Sequence, residues 1–216
     1  GASLTNVRVA TTGTGDAIDI GSTTALLSNV IVTHDGTGNA VDIEAGASAT
    51  ISGSSTNIAA TNGTAKAINM NAAATSLTFS DITITAAGST NSVDLLGGTV
   101  VISGTNSITT SGSGAAMNFA AALTAVTMTG TTAINAGGGG DAVEVLKSGA
   151  SLTGLDINTT NSGANKALDI DAAATGVTIG GLTVDYDGSD IAVDANAATF
   201  TLSGTNSITT THTNSI

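Results

Sequence analysis

An apolar residue, then Ser or Thr (once Gly), then Gly, Asn or Asp recurs nine times along the chain, about every 25 residues. One apolar column reads Leu4, Leu27, Ile51, Phe79, Ile102, Met128, Leu152, Ile179, Leu202. A second reads Val9, Val32, Ile58, Ile84, Ile108, Ile134, Ile157, Val184, Ile208. The third reads Ile18, Val41, Ile68, Val93, Met117, Val143, Leu168, Val193. The fourth lies two residues further on: Ile20, Ile43, Met70, Leu95, Phe119, Val145, Ile170, Ala195. Apolar residues at i and i+2 around a polar one indicate strand, and the Val, Ile and Thr content suits a pleated surface. A repeat at this period indicates a solenoid. The pattern therefore predicts an all-β, right-handed parallel β-helix with three short strands in each coil of about 25 residues, and eight to nine coils. At ~4.8 Å per coil the rod would be roughly 40 Å long.

The turns agree with the strands. The column after the first ladder's Ser/Thr residues reads Asn6, Asn29, Gly53, Asp81, Gly104, Gly130, Gly154, Gly181, Gly204. These residue types tolerate a left-handed backbone, so the column predicts a corner. The chain has no Pro, as expected if nearly every backbone amide serves a ladder. A longer repeat lies over the short one. Residues 66–84 match 166–184 without a gap, and SGTNSITT occurs at both 103–110 and 203–210. Four coils read as a duplicated block.

Because each coil contacts only its neighbours, 1–216 reads as one continuous β-helix domain. The chain opens mid-pattern at Gly1–Leu4 and stops mid-coil at Asn214–Ile216 with no polar cap, which predicts a segment of a longer repeat protein. There is no secretory leader pattern and no Cys. Runs of about 18 apolar residues are also missing, so no membrane insertion by this segment is expected. Four basic residues against 16 acidic ones give a net charge of −12, which argues against nucleic acid as a partner. Aromatic platforms for bases or sugars are scarce: one Tyr, three Phe and no Trp.

Few residues suggest chemistry. Between the third and fourth ladders runs a polar column: Asp19, Asp42, Asn69, Asp94, Asn118, Glu144, Asp169, Asp194. Alternation points it outward. It reads as a solvated acidic stripe with Asn ladders, or as a cation-binding stripe. Asp185, Asp187 and Asp190 in DYDGSD place carboxylates at alternating positions before and after a Gly turn, as in part of a calcium loop. They are the candidate metal residues, for Ca2+, against the alternative of a plain polar turn. No other cofactor is expected. His34 and His212 are isolated, each in a Thr-rich turn. The outward positions beside the second ladder mix Thr with Arg8, Ile31, Ala133 and Asp156, so no regular hydroxyl array is expected there. Arg8, Lys66, Lys147 and Lys166 are scattered, and no paired-carboxylate cleft or nucleophile motif stands out, so no catalytic residues are assigned and no enzyme activity is expected.

Repeats such as VVISGTNSITTSGSGAAMNF and LTGLDINTTNSGANKALDI resemble the passenger regions of large bacterial surface proteins, the autotransporter and filamentous-haemagglutinin-type adhesins. The resemblance lies in composition and repeat style over the whole chain. The coil here is longer than the haemagglutinin-type repeat. The resemblance implies an extracellular or cell-surface location on a bacterium and a structural rod or stalk. Expected partners are neighbouring repeats, other copies of the chain, and host or matrix glycans or proteins. A self-assembling filament or surface-layer unit, a calcium-dependent adhesin, and a carbohydrate-acting or tailspike-like β-helix remain as alternatives.

Overall fold

The structure, a computed structural model, describes residues 1–160, 166–196 and 199–211. It is a parallel β-solenoid, and no helix occurs among the described residues. Every strand pairs with the equivalent strand one coil away, in parallel. Three faces result. The first and second belong to one 16-stranded sheet and the third is a separate 8-stranded sheet.

The sheet of 16 strands wraps around the predicted corner. Most coils break there into two strands, but Ser48–Ala60 and Ser76–Ala86 each run through it and belong to both faces. The expectation of three short strands per coil thus gives way in two coils to one long bent strand. The corner column itself is as expected. Its nine members all have positive φ, from 52° at Asn29 to 104° at Gly53. Neighbouring corners are interdependent. A side chain at Gly104 would collide with the Asp81 carboxylate of the coil before, which lies over it and accepts the Thr105 N–H at 2.9 Å.

The four apolar ladders pack into one continuous core. Further columns complete it. On the first face Ala25, Ala49, Leu77, Val100 and Val126 point inward two residues before the first ladder. Just past the corner Val30, Thr56, Ile82, Asn106, Thr132 and Leu155 do the same. Asn106 is 1% exposed and fully used: Oδ1 accepts the Ile82 N–H, and Nδ2 donates to Ser103 O at 2.9 Å and to Thr132 Oγ1. Asn206, its copy in the duplicated string, repeats the pattern with the Leu182 N–H at 2.8 Å and Ser203 O at 3.2 Å. A buried polar residue is tolerated because its hydrogen bonds are all made inside.

His34 is not a turn residue. It ends the strand Ile31–His34, is fully buried, and meets Thr11 Oγ1 through Nδ1 at 2.7 Å. His212 lies outside the described residues, as do Asn214–Ile216.

Candidate functional site

The third face carries the most organised polar chemistry. Each coil contributes a three-residue strand such as Val41–Ile43, Val93–Leu95 or Leu168–Ile170, whose outer residue belongs to the polar column. The register stacks Asp19, Asp42, Asn69, Asp94, Asn118, Glu144, Asp169 and Asp194 directly over one another. The expectation of a solvated stripe fails in the middle of it. Asp42 is 5% exposed, Asp94 6% and Asn118 7%.

What covers them is a second column three residues upstream, a shoulder where the chain enters each third-face strand. It reads Asp16, Asn39, Lys66, Asn91, Ala115, Asp141, Lys166, Ile191. Shoulder side chains reach down onto the stripe. Asn39 Nδ2 donates to Asp42 Oδ1 at 2.8 Å, and Asn91 Nδ2 to Asp94 Oδ1 at 3.1 Å. Lys66 spans two coils, giving one bond to Asn69 Oδ1 at 2.8 Å and an ion pair to Asp94 Oδ2 at 2.5 Å. Lys166 does the same with Asp169 at 3.2 Å and Asp194 at 2.7 Å. Within the stripe Asn69 Nδ2 donates to Asp42 Oδ1 at 2.6 Å, and Asn118 Nδ2 to Asp94 Oδ1 at 2.8 Å. The shoulder also seals the backbone: Asp16, Asn91 and Asp141 accept the N–H of Asn39, Ala115 and Lys166 in the next coil.

These contacts set the charge states. Burial pushes the Asp94 carboxyl up, but hydrogen bonds from Lys66, Asn118 and Asn91 outweigh it and hold the group below its ordinary value. Lys166 is held above its ordinary value by Asp194, against burial and with help from Asp169. Asp169 stays raised, because burial and the nearby Asp141 and Asp194 exceed what Lys166 supplies. Glu144 is raised by burial and then by Asp141, Asp169 and Asp171.

Among the described residues, the one group of three acids whose ligand oxygens lie within 4.8 Å of one another is Asp19, Asp42 and Glu44. Asp42 Oδ1 in that group already accepts from Asn39 and Asn69.

Asp185, Asp187 and Asp190 are not gathered in this way. Asp185 is exposed on the second face, in register with Asn158 and Thr209. Asp187 Oδ1 accepts from Thr211 Oγ1 at 2.9 Å, and Asp190 Oδ1 accepts the Ile191 N–H at 2.8 Å. Tyr186 shapes the turn. It is fully buried, and its hydroxyl accepts the Asp190 N–H at 2.9 Å. Gly188 packs so closely on the ring that a Cβ there would collide with the hydroxyl. The DYDGSD glycine thus makes room for Tyr186. A shallow concavity of about 280 Å³ lies beside the turn, lined by Asn158, Thr159, Thr160, Asp185, Asp187 and Thr211.

The first face differs in kind. Its strands, among them Thr24–Ser28, Gly98–Ser103 and Thr199–Ser203, contain no charged residue ahead of the corner, where Asp81 stands. Thr24, Leu26 and Ser28 point out from one coil, Ser48, Thr50 and Ser52 from the next, and Ser76, Thr78 and Ser80 from the one after. Outward hydroxyls are frequent here, interrupted by Leu26, Val101 and Ala125.

The shoulder escaped the sequence reading, although a signal exists: an amide, acid or Lys stands three residues before the stripe in six of eight coils. Comparison with protein-family models, with curated proteins and with solved structures gives no match.

Proposed function

We propose that this chain is a rigid rod or stalk segment of a secreted or cell-surface protein, with a mechanical and not a catalytic role. The observation that carries this reading is the parallel strand pairing that continues from coil to coil, with local register shifts at Ser52/Thr56, Gly98/Thr99 and Thr175/Val177. The same three faces continue coil after coil, and one core runs beneath them. A structure of this kind carries load along the backbone ladders, each coil transmitting force to the next. The surface supports the same reading, because polar groups are spread in columns along the rod. The bacterial adhesin-like setting follows from the resemblance in repeat style. Single-molecule pulling between the chain ends tests the mechanical role. The expected result is resistance followed by release in multiples of a coil's length. Smooth extension at negligible force would overturn it.

A second reading is favoured by the uncharged first face: lateral packing of rods through that face into a filament or surface lattice. A net charge of −12 repels copies from one another, and the first face is where that repulsion is weakest. Sedimentation velocity over a range of concentration and salt decides between the two. A monomer throughout supports the isolated stalk; association blocked by Thr50→Lys and Thr78→Lys supports the lattice.

A further inference from the structure

The third-face stripe has no shoulder donor at the step from Asn118 to Glu144. Lys66 serves the pair Asn69 and Asp94, and Lys166 serves Asp169 and Asp194. The shoulder residue in the same relation to Asn118 and Glu144 is Ala115, which offers nothing, and the shoulder of the next coil is Asp141, another acid.

The consequence is visible in the side chains. Asn118 is 93% buried, being 7% exposed, and spends Nδ2 on Asp94 in the coil before. Its Oδ1 is closed off from solvent and has no hydrogen-bond partner. The amide nitrogen is spent on the Asp94 side, and the register neighbour on the other side is Glu144. The Glu144 side chain makes no hydrogen bond or ion pair among the described residues. After burial, the nearby acids Asp141, Asp169, Asp171 and Asp94 push its carboxyl up. A buried carbonyl oxygen without a donor is destabilising, and an uncompensated carboxylate beside it adds to that.

We propose that Asn118 Oδ1 and the Glu144 carboxylate, with Asp141 alongside, bind one Ca2+ ion between two coils. Carboxylate and amide oxygens are hard ligands, and Ca2+ accepts them in flexible geometry with water filling the remaining positions. The ion takes the place that a Lys ammonium holds at the two equivalent steps. It satisfies the buried amide oxygen and offsets the local acids together. The group Asp19, Asp42 and Glu44 is the obvious competitor, but nothing there is left unpartnered in the same way.

The test uses the full chain, stripped with EDTA, with Ca2+ itself as the probe. Calorimetric titration of the wild type is expected to give one Ca2+ per chain, with Mg2+ much weaker. The melting temperature should rise with Ca2+ and saturate. Glu144→Gln is expected to lose at least tenfold in affinity. Its amide donates to Asn118 Oδ1, so the variant melts at or above the metal-free wild type. Ala115→Lys should do the same by supplying the missing ammonium, and retention of its fold is read from unchanged far-ultraviolet dichroism. Asp19→Asn should bind as the wild type does. No Ca2+ binding by the wild type would overturn the proposal. So would binding that survives in both Glu144→Gln and Ala115→Lys, or that disappears in Asp19→Asn.

Discussion

Lys66 and Lys166 stand in equivalent positions of the duplicated block and make the same two-coil bridge, Lys66 Nζ to Asp94 Oδ2 at 2.5 Å and Lys166 Nζ to Asp194 Oδ2 at 2.7 Å. The two bridges differ in burial. The Asp94 side chain is 8% exposed, whereas those of Asp169 and Asp194 are 20% and 17% exposed. Removing one partner of a buried pair leaves a charge that water cannot reach. Lys66→Met should therefore cost about 2 kcal/mol and Lys166→Met about 1 kcal/mol, after allowance for the partial exposure of both lysines. Urea unfolding of the two variants measures the order, and a larger loss at Lys166 would contradict it.

Stability should depend on pH with two limbs. Asp94 is held below its ordinary value of 3.8, so its contribution is present above that pH and is lost as pH falls through the lower folded value. Glu144 and Asp169 are held above their ordinary values of 4.5 and 3.8, so the folded state binds their protons more tightly than the unfolded chain does. Those two groups add stability as pH falls from neutral through their raised values. In metal-free buffer the melting temperature is expected to rise from pH 7 towards pH 5 and to fall below about pH 4. Glu144→Gln should flatten the upper limb in part, leaving what Asp169 contributes.

The corner between the first two faces offers a coupled pair. Gly104 has φ of 69°, and a Cβ there meets the Asp81 carboxylate. Gly104→Ala should lose about 2 kcal/mol from backbone strain and the collision together. Adding Asp81→Gly removes the collision but not the strain, so the double variant should be more stable than the summed single losses by about 0.5 kcal/mol or more. Strict additivity in a denaturation cycle would show that the carboxylate swings away freely.

Asn106→Ala strips the Ile82 N–H of its acceptor inside the core. The expected cost is about 2–3 kcal/mol. Asn206→Ala removes the same bonds at a more exposed position and should cost about 1 kcal/mol. Comparing the urea midpoints of the two checks that burial, and not the bond itself, sets the difference.

Large side chains made the architecture legible. Ile, Leu, Val, Met and Phe mark the four ladders, and Gly, Asn and Asp mark the corner, because each of these residues has a narrow physical use. The columns that escaped are built from residues with broad use. Ala25 and Ala49 fill the core without looking apolar enough to announce it, and nothing in the residue types of Asn106, Thr132 and His34 announces their burial. The polar stripe was recognised as a column, and its outward direction was right. Its burial was not, because that depends on shoulder side chains three residues upstream and one coil away. Spacing alone leaves Asp185, Asp187 and Asp190 open as part of a calcium loop or as a plain polar turn. Their geometry depends on Tyr186, whose ring occupies the interior and draws the turn around it.

The corner where Asp81 overlies Gly104 limits how such a chain can grow. Each coil there is fitted to the one before it: Asn29 lies over Gly53 just as Asp81 lies over Gly104. The lysine bridges likewise pair a residue of one coil with a residue of the next. Copying a single coil would place it against itself, setting Asp81 over another Asp81 and breaking these fits at every junction. Copying several coils together carries the interior junctions intact and leaves only the two outer seams to be reconciled. Lengthening in multi-coil blocks is thus the route of least mismatch, and the paired bridges of Lys66 and Lys166 are what such a copy leaves behind.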